Sequence, residues 1–223
     1  VNRKPTKTVV RAGIICGAAL FASALAAPLA TAQTANGPAT PNGLIGTHAA
    51  QDHSTLRTAA NPRATGRTQL NYAQQVQKND EWCWAADGSS IEQFHGASTT
   101  QSQFCAAGKG TSVGNCPNQA AEIDEIVNGF ENTGFNATNA NGPISFNSVQ
   151  QQINNGTPAL TGIYWTSGGG HAEVIYGYDA SNSTLNLGDP WPTYQRYQTS
   201  TYNNYLRNNR FTWQDTIVNI NQG

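Results

Sequence analysis

Cys83 stands in the run QKNDEWCWAADGSS, Gln77 to Ser90, where a segment of helical periodicity begins. A thiol attacks a carbonyl carbon as its thiolate, and the partial positive charge at a helix N-terminus lowers the thiol pKa. Acyl transfer also requires a proton acceptor, a group to orient it, and donors for the developing oxyanion. The backbone N–H of Cys83 would supply one oxyanion donor. Gln77, six residues earlier, would place a side-chain amide for the second, with Gln74 and Gln75 close enough to compete for that role. The sequence holds four histidines. His48 and His53 fall in a stretch that cannot build a core, and His95 lies three turns along the same predicted helix, about 18 Å from Cys83. His171, after three glycines, is left as the base, unless it is a turn histidine facing solvent. Asp189, in LGDPWP, closes the next strand and in a hairpin could reach the His171 ring, where a carboxylate favours the imidazolium that pairs with thiolate. Its competing reading is a turn aspartate ahead of proline. Trp191, two residues on, could cover the pair from water.

These residues need a helix and a hairpin to position them. Leu70 and Tyr72 read as a short extended piece starting a domain near Gln69. The Cys83 helix should place Trp84, Gly88, Ile91 and His95 on one face, turn Asp87, Ser90 and Gln93 away, and end at Gly96. Pro117 is expected to open a second helix carrying Ile123, Ile126, Val127 and Phe130. Ser145 should cap a third with Val149 and Ile153, ending at Asn155 and Gly156. The period then changes, with strands expected over Ala159–Trp165, His171–Tyr178 and Thr184–Leu187, the last two joined by a turn at Asp179–Ser183. Tyr202–Arg207 is ambiguous, and Phe211–Ile220 reads as a closing strand. Helices first and an antiparallel sheet after is an α+β order, with a cleft between the layers.

At the N-terminus, Arg3, Lys4, Lys7 and Arg11 precede an uncharged Ala-rich run and the small-residue triplet Ala30, Thr31, Ala32, the pattern of an export signal over residues 1–32. The run is too rich in Ala and Gly, with Pro28 inside it, to favour a membrane anchor. Residues 33–68 are expected to form a disordered leader or short pro-segment, and 69–223 one catalytic domain. Charged residues make up 11% of the chain and the net charge is −1, which speaks against nucleic acid or anionic membranes as partners. Cys16 would leave with the signal. Cys105 and Cys116 then form the natural pair in a Gly-rich stretch, and the remaining sulfur is that of Cys83. A zinc site is the competing reading, but no histidine lies at ligand spacing from these cysteines.

The chain resembles the papain-like cysteine peptidases, whose members carry a Gln six residues before a Cys-Trp pair, a later His opening a strand, and an Asn or Asp followed two residues on by Trp. Here these are Gln77, Cys83 and Trp84, then His171, then Asp189 and Trp191. The WCWAA form, the short domain and the Asp make it most similar to the small bacterial branch, which includes secreted staphopain-type peptidases and effector peptidases of plant pathogens. The resemblance implies a papain-like fold in which a helical part carrying the Cys helix packs on a C-terminal antiparallel sheet. It implies a secreted, monomeric endopeptidase that acts on protein or peptide, with no metal or organic cofactor and no stable membrane association after signal cleavage. Cys83 would be acylated, His171 act as base, Asp189 orient it, and Gln77 bind the oxyanion. The long helical pro-region of eukaryotic relatives is absent. The same machinery also serves transglutaminases, deamidases and cell-wall amidases, and a non-catalytic binding module on the same fold is a further alternative.

Overall fold

The computed structural model describes residues 66–223. The signal, the leader up to residue 65, Cys16, His48 and His53 lie outside the described residues. Five α-helices and seven strands alternate in two halves: β1 (Arg67–Gln69), α1 (Cys83–Phe94), α2 (Gln101–Lys109), α3 (Ile123–Asn132), β2 (Phe135–Asn139) and α4 (Phe146–Asn154) precede β3 (Ala159–Trp165), β4 (Gly170–Asp179), β5 (Thr184–Gly188), β6 (Tyr197–Thr201), α5 (Tyr202–Leu206) and β7 (Phe211–Gln222). The strands form one antiparallel sheet in the order β2-β7-β3-β4-β5-β6, with β1 paired to the end of β4. This is the α+β arrangement the sequence implies.

β4 is the central strand, buried on both faces and, within that buried stretch, apolar apart from His171 and Glu173, with turn residues at both ends. It is buried from Gly170 to Tyr178 and takes β3 on one side and β5 on the other. α1 packs across β4 and is also held by α2 and α3. As a result ten of its twelve residues are buried, and the expected division into a core face and a solvent face does not hold. Asp87 and Ser90, expected to point away, are buried, because a helix enclosed on several sides has no solvent face to give them. Most of their polar groups are paired internally, and Asp87 Oδ2 is left buried without a hydrogen-bond partner. Gln74 Nε2 donates to Asp87 Oδ1 at 2.9 Å, the backbone N–H of Gln75 donates to Ser90 Oγ at 3.0 Å, and Gln75 Nε2 donates to Ser89 Oγ at 3.0 Å.

Two helix expectations are corrected. α2 was not foreseen, although Thr100 and Gln103 form a full capping box ahead of it. Only Phe104 gives it a large apolar anchor, too little for a visible period. α3 does not begin at Pro117; Glu122 caps it, with Glu125 completing the capping box. Residues 117–120 stay out of the helix because their carbonyls are engaged elsewhere. Pro117 accepts the Trp82 indole N–H at 2.9 Å, Gln119 that of Trp84 at 3.1 Å, and Ala120 the Lys109 ammonium at 2.6 Å. Tyr202–Leu206, ambiguous in sequence, is a short helix, and the polar edge strands β2 and β6 also went unforeseen.

Candidate active site

Cys83 is the first residue of α1 and is fully buried. The N-cap residue, Trp82, makes no side-chain cap bond, and the first turn contains no acidic residue, so neither offsets the positive end of the helix dipole at the sulfur. The loop before it is fixed from outside. The Cys105–Cys116 disulfide, with Cα atoms 6.0 Å apart, carries Pro117 to Gln119 against this loop, where Asn118 Oδ1 accepts the Glu81 N–H at 2.9 Å and the carbonyls on either side take the indoles flanking Cys83. In this chain the Cys83 sulfur is disulfide-bonded; the thiol expected of it belongs to a chain from which Cys16 has left with the signal. Its sulfur therefore stands in for the thiolate that reduction would release.

His171 opens β4 beside Gly170 and is buried. Its Nε2 lies 2.9 Å from Asp189 Oδ1. With the carboxylate ionised, Nε2–H donates, and Nδ1 is the nitrogen left to take a proton. The ring is held between two indoles, stacked on Trp165 at 6.3 Å between centroids and edge-on to Trp191 at 6.0 Å. Trp191 was expected to cover the pair; Trp165, at the end of the neighbouring strand, was not singled out. Burial pushes the imidazole pKa down, but the Asp189 charge, its hydrogen bond and Glu173 outweigh that and raise it above the ordinary histidine value.

Asp189 follows directly on β5. The Trp191 N–H also donates to Oδ1 at 2.8 Å, and Gln198 Nε2 donates to Oδ2 at 2.9 Å. The Gln77 N–H donates to the Pro190 carbonyl at 2.9 Å, which ties the segment leading to Cys83 to the aspartate loop. The Gln77 side chain lies near the helix mouth, but both its amide protons are engaged, with the Asn79 carbonyl at 2.9 Å and the Asp80 carbonyl at 2.7 Å, while Oε1 is buried without a hydrogen-bond partner. Flipping the amide would set Oε1 against two carbonyls, so this orientation is fixed. The amides of Gln74 and Gln75 point into the α1 packing at Asp87 and Ser89 instead.

Two acidic groups escaped the sequence reading. Glu173 lies two residues after His171 on the same face of β4, and Asp87 lies one turn after Cys83 on α1; both are buried. The signal for Glu173 was a lone charge inside an otherwise apolar strand. Donor atoms of His171, Glu173 and Asp189 all lie within 4.8 Å of one another, close enough to be three ligands for a cation. A metal there would have to displace the His171–Asp189 bond, and both Asp189 oxygens already accept N–H donors. The arrangement fits a proton held between the pair. His95 sits at the opposite end of α1, against Phe94 and Phe135, as its distance from Cys83 requires.

No curated protein sequence matches the chain. Among solved structures, the peptidase domain of Streptococcus ComA, a bi-functional ABC transporter involved in quorum sensing, superposes with a TM-score of 0.55 at 15% identity, covering 68% of this chain and 99% of that one. Xylellain, a cysteine protease from Xylella fastidiosa, superposes with a TM-score of 0.51 at 11% identity, covering 71% and 86%. A double glycine motif protease from an AMS/PCAT transporter, solved in complex with the leader peptide, superposes with a TM-score of 0.50 at 14% identity, covering 71% and 97%. At such identities the likeness is one of fold. The sequence itself matches the profile of the papain-like cysteine protease AvrRpt2 over residues 64–210, from the start of β1 through the His171 and Asp189 strands, and the chain belongs to that family of cysteine peptidases.

Proposed function

We propose that this cysteine peptidase is an exported endopeptidase that cleaves protein or peptide substrates through a thioester on Cys83. The observation that carries the reading is the buried His171–Asp189 bond of 2.9 Å, made through Nε2 so that Nδ1 remains for the cysteine proton. In this mechanism the Cys83 thiolate, favoured by the uncapped helix end, attacks the scissile carbonyl. The oxyanion is met by the Cys83 N–H and by a Gln77 amide proton, which exchanges a loop carbonyl for the substrate oxygen. The His171 imidazolium protonates the leaving amine, then as neutral base takes a proton from the water that cleaves the thioester. Asp189 keeps the ring oriented and its charged form stabilised. Export from the cell, a monomeric state and freedom from the membrane after signal removal belong to the same reading.

The test is mass spectrometry of the reduced protein after brief exposure to the epoxide E-64, together with peptide hydrolysis by the wild type and Cys83→Ala. A single adduct on Cys83 and loss of hydrolysis in the folded variant are expected. Hydrolysis by Cys83→Ala comparable to wild type would refute the mechanism. Amine incorporation or glutamine deamidation without cleavage would assign the same residues to a different acyl transfer.

A further inference from the structure

Two carboxylates share a buried strand face with one imidazole. The β4–β5 register pairs Val174 with Gly188, and one further step sets Asp189 across from Glu173, with His171 two residues along the same face. His171 is 3% exposed, Glu173 6% and Asp189 1%, so water screens none of them. An imidazolium can neutralise one carboxylate. Asp189 takes that role with both oxygens hydrogen-bonded, whereas Glu173 Oε2 is buried with no hydrogen-bond partner. A desolvated carboxylate in that position either holds a proton or leans on the nearest cation. The nearest cation is the His171 ring.

We propose that Glu173 is a positioning residue of the peptidase: when ionised, it acts with Asp189 to hold His171 as imidazolium, extending the working range of the Cys83–His171 pair toward alkaline pH. This rests on the reading of Cys83 and His171 as the catalytic pair.

The groups facing Glu173 set when this happens. Asp189 comes from the end of β5, Tyr205 from α5, Arg210 from the turn before β7, His171 from its own strand, and Asp87 from α1, which also carries Cys83. On β3, Thr161 sits opposite Glu173 and bonds the Tyr205 hydroxyl at 2.6 Å. Burial and the Asp189 charge push Glu173 up, against His171, Tyr205 and Arg210, to about 7. Asp87 is driven well above the carboxylate range by its own burial and by Asp189, toward its neutral form. Glu173 is thus the acid in this cluster that changes charge near neutrality. Below that point it is neutral and adds nothing to the field at His171; above it, the added charge opposes loss of the imidazolium proton.

The consequence is one-sided. Glu173→Gln keeps the shape and removes only the charge, so the acid limb of the kcat/KM profile should stay in place. The alkaline limb should move down by about one pH unit, roughly a tenfold lower kcat/KM on the alkaline side of the wild-type midpoint. Glu173→Asp, which keeps a carboxylate, should recover part of that shift. Uniform loss at every pH with unchanged midpoints would mean a merely structural role and overturn the proposal, as would a superimposable profile.

A second measurement needs neither turnover nor the variant. In the full chain, Cys83 is released by mild reduction that keeps Cys105–Cys116 intact and is capped as the methyl disulfide by methyl methanethiosulfonate, with methanesulfinate leaving. The ring nitrogen shifts of His171 are then followed by NMR across pH. Two inflections are expected, one from the ring and one from Glu173 ionising beside it. A single inflection overturns the proposal even if Glu173→Gln fails to fold. If the wild type hydrolyses no peptide, the catalytic reading fails separately, and the ring titration still decides the role of Glu173.

Discussion

Gly88 lies in the middle of α1, and a methyl group added there should displace the helix that carries Cys83. A Cβ at Gly88 would sit 2.1 Å from Phe104 Cζ and 2.3 and 2.6 Å from the two Cε atoms. Such an overlap is harmless only if the ring can swing aside. Phe104 cannot: it is fully buried, its edge fits between Gly88 and Gly129, and it packs on Phe130 at 4.8 Å and Trp84 at 6.0 Å between centroids. Overpacking of a dense core costs about 1–3 kcal/mol, and an overlap this deep belongs at the upper end. Replacing a helical glycine by alanine returns about 1 kcal/mol. Gly88→Ala should therefore lose about 2 kcal/mol, seen as a fall of roughly 4–8 °C in Tm for a domain of this size. Phe104→Ala alone should cost about 3–5 kcal/mol through the cavity it leaves. In that background the obstacle is gone, so adding Gly88→Ala should stabilise. Thermal and urea unfolding of the four proteins gives the cycle. The same sign for Gly88→Ala in both backgrounds would refute the argument. Peptide hydrolysis gives the functional side, because a shift of about 1 Å in α1 moves the proposed nucleophile, Cys83, and can cost on the order of a hundredfold.

Asp189→Asn keeps an acceptor for His171 but removes the charge and turns an amide toward Gln198 Nε2, which now donates to Oδ2 at 2.9 Å. kcat/KM should fall by ~10–100-fold, about 1.5–3 kcal/mol for a charged hydrogen bond, with the alkaline limb displaced to lower pH; an unchanged profile would remove Asp189 from the mechanism. Glu173 also links folding to pH. Its folded value of about 7 exceeds the ordinary 4.5, so the native state binds the extra proton between those values, and the stability it gives is full below about pH 4.5 and lost as pH rises through about 7. The Glu173 share of the loss across that window is about 3 kcal/mol at most, so Glu173→Gln should lose that much less than wild type, and urea titrations at both ends check it. Replacing Cys105 and Cys116 by serine opens a crosslink with a sequence separation of 11, worth about 3 kcal/mol by loop entropy, and should also slow hydrolysis by freeing the loop that holds Trp82 and Trp84. Full activity with lowered Tm would confine the disulfide to stability.

The parts of the site legible in sequence are those set by local rules. A cysteine at a helix start, a histidine opening a strand and an aspartate closing the next one depend on periodicity, glycines and a short turn, all of which lie within a few residues of the group concerned. Glu173 and Asp87 depend on register and on what covers α1. Glu173 faces Asp189 only because Val174 pairs with Gly188, and no pattern within β4 discloses which residue of β5 stands opposite. Asp87 read as a solvent residue because it belongs to the polar stripe of α1, and its burial follows from three elements closing on that helix. The Gln77 amide illustrates a third kind of failure. Its spacing from Cys83 places it at the helix mouth, but the carbonyls of Asn79 and Asp80 decide where its protons point.

Cys83 and His171, the proposed nucleophile and base, come from opposite halves of the chain, so the proposed site depends on how firmly those halves are joined. Three ties cross between them or brace the seam. α1 packs directly on β4, which carries His171. The Gln77 N–H holds the Pro190 carbonyl, locking the Cys83 approach to the Asp189 loop at 2.9 Å. The disulfide-bound segment clamps both indoles beside Cys83 from the outer side. The first tie is side-chain burial, insensitive to redox state; the second is a single backbone bond; the third depends on an oxidised pair. A reductant strong enough to open Cys105–Cys116 therefore loosens the support of the Cys83 loop. Activity of the wild type should fall once reductant strength passes the point at which that bond opens. With Cys105 and Cys116 replaced by serine it should start lower and show no such fall.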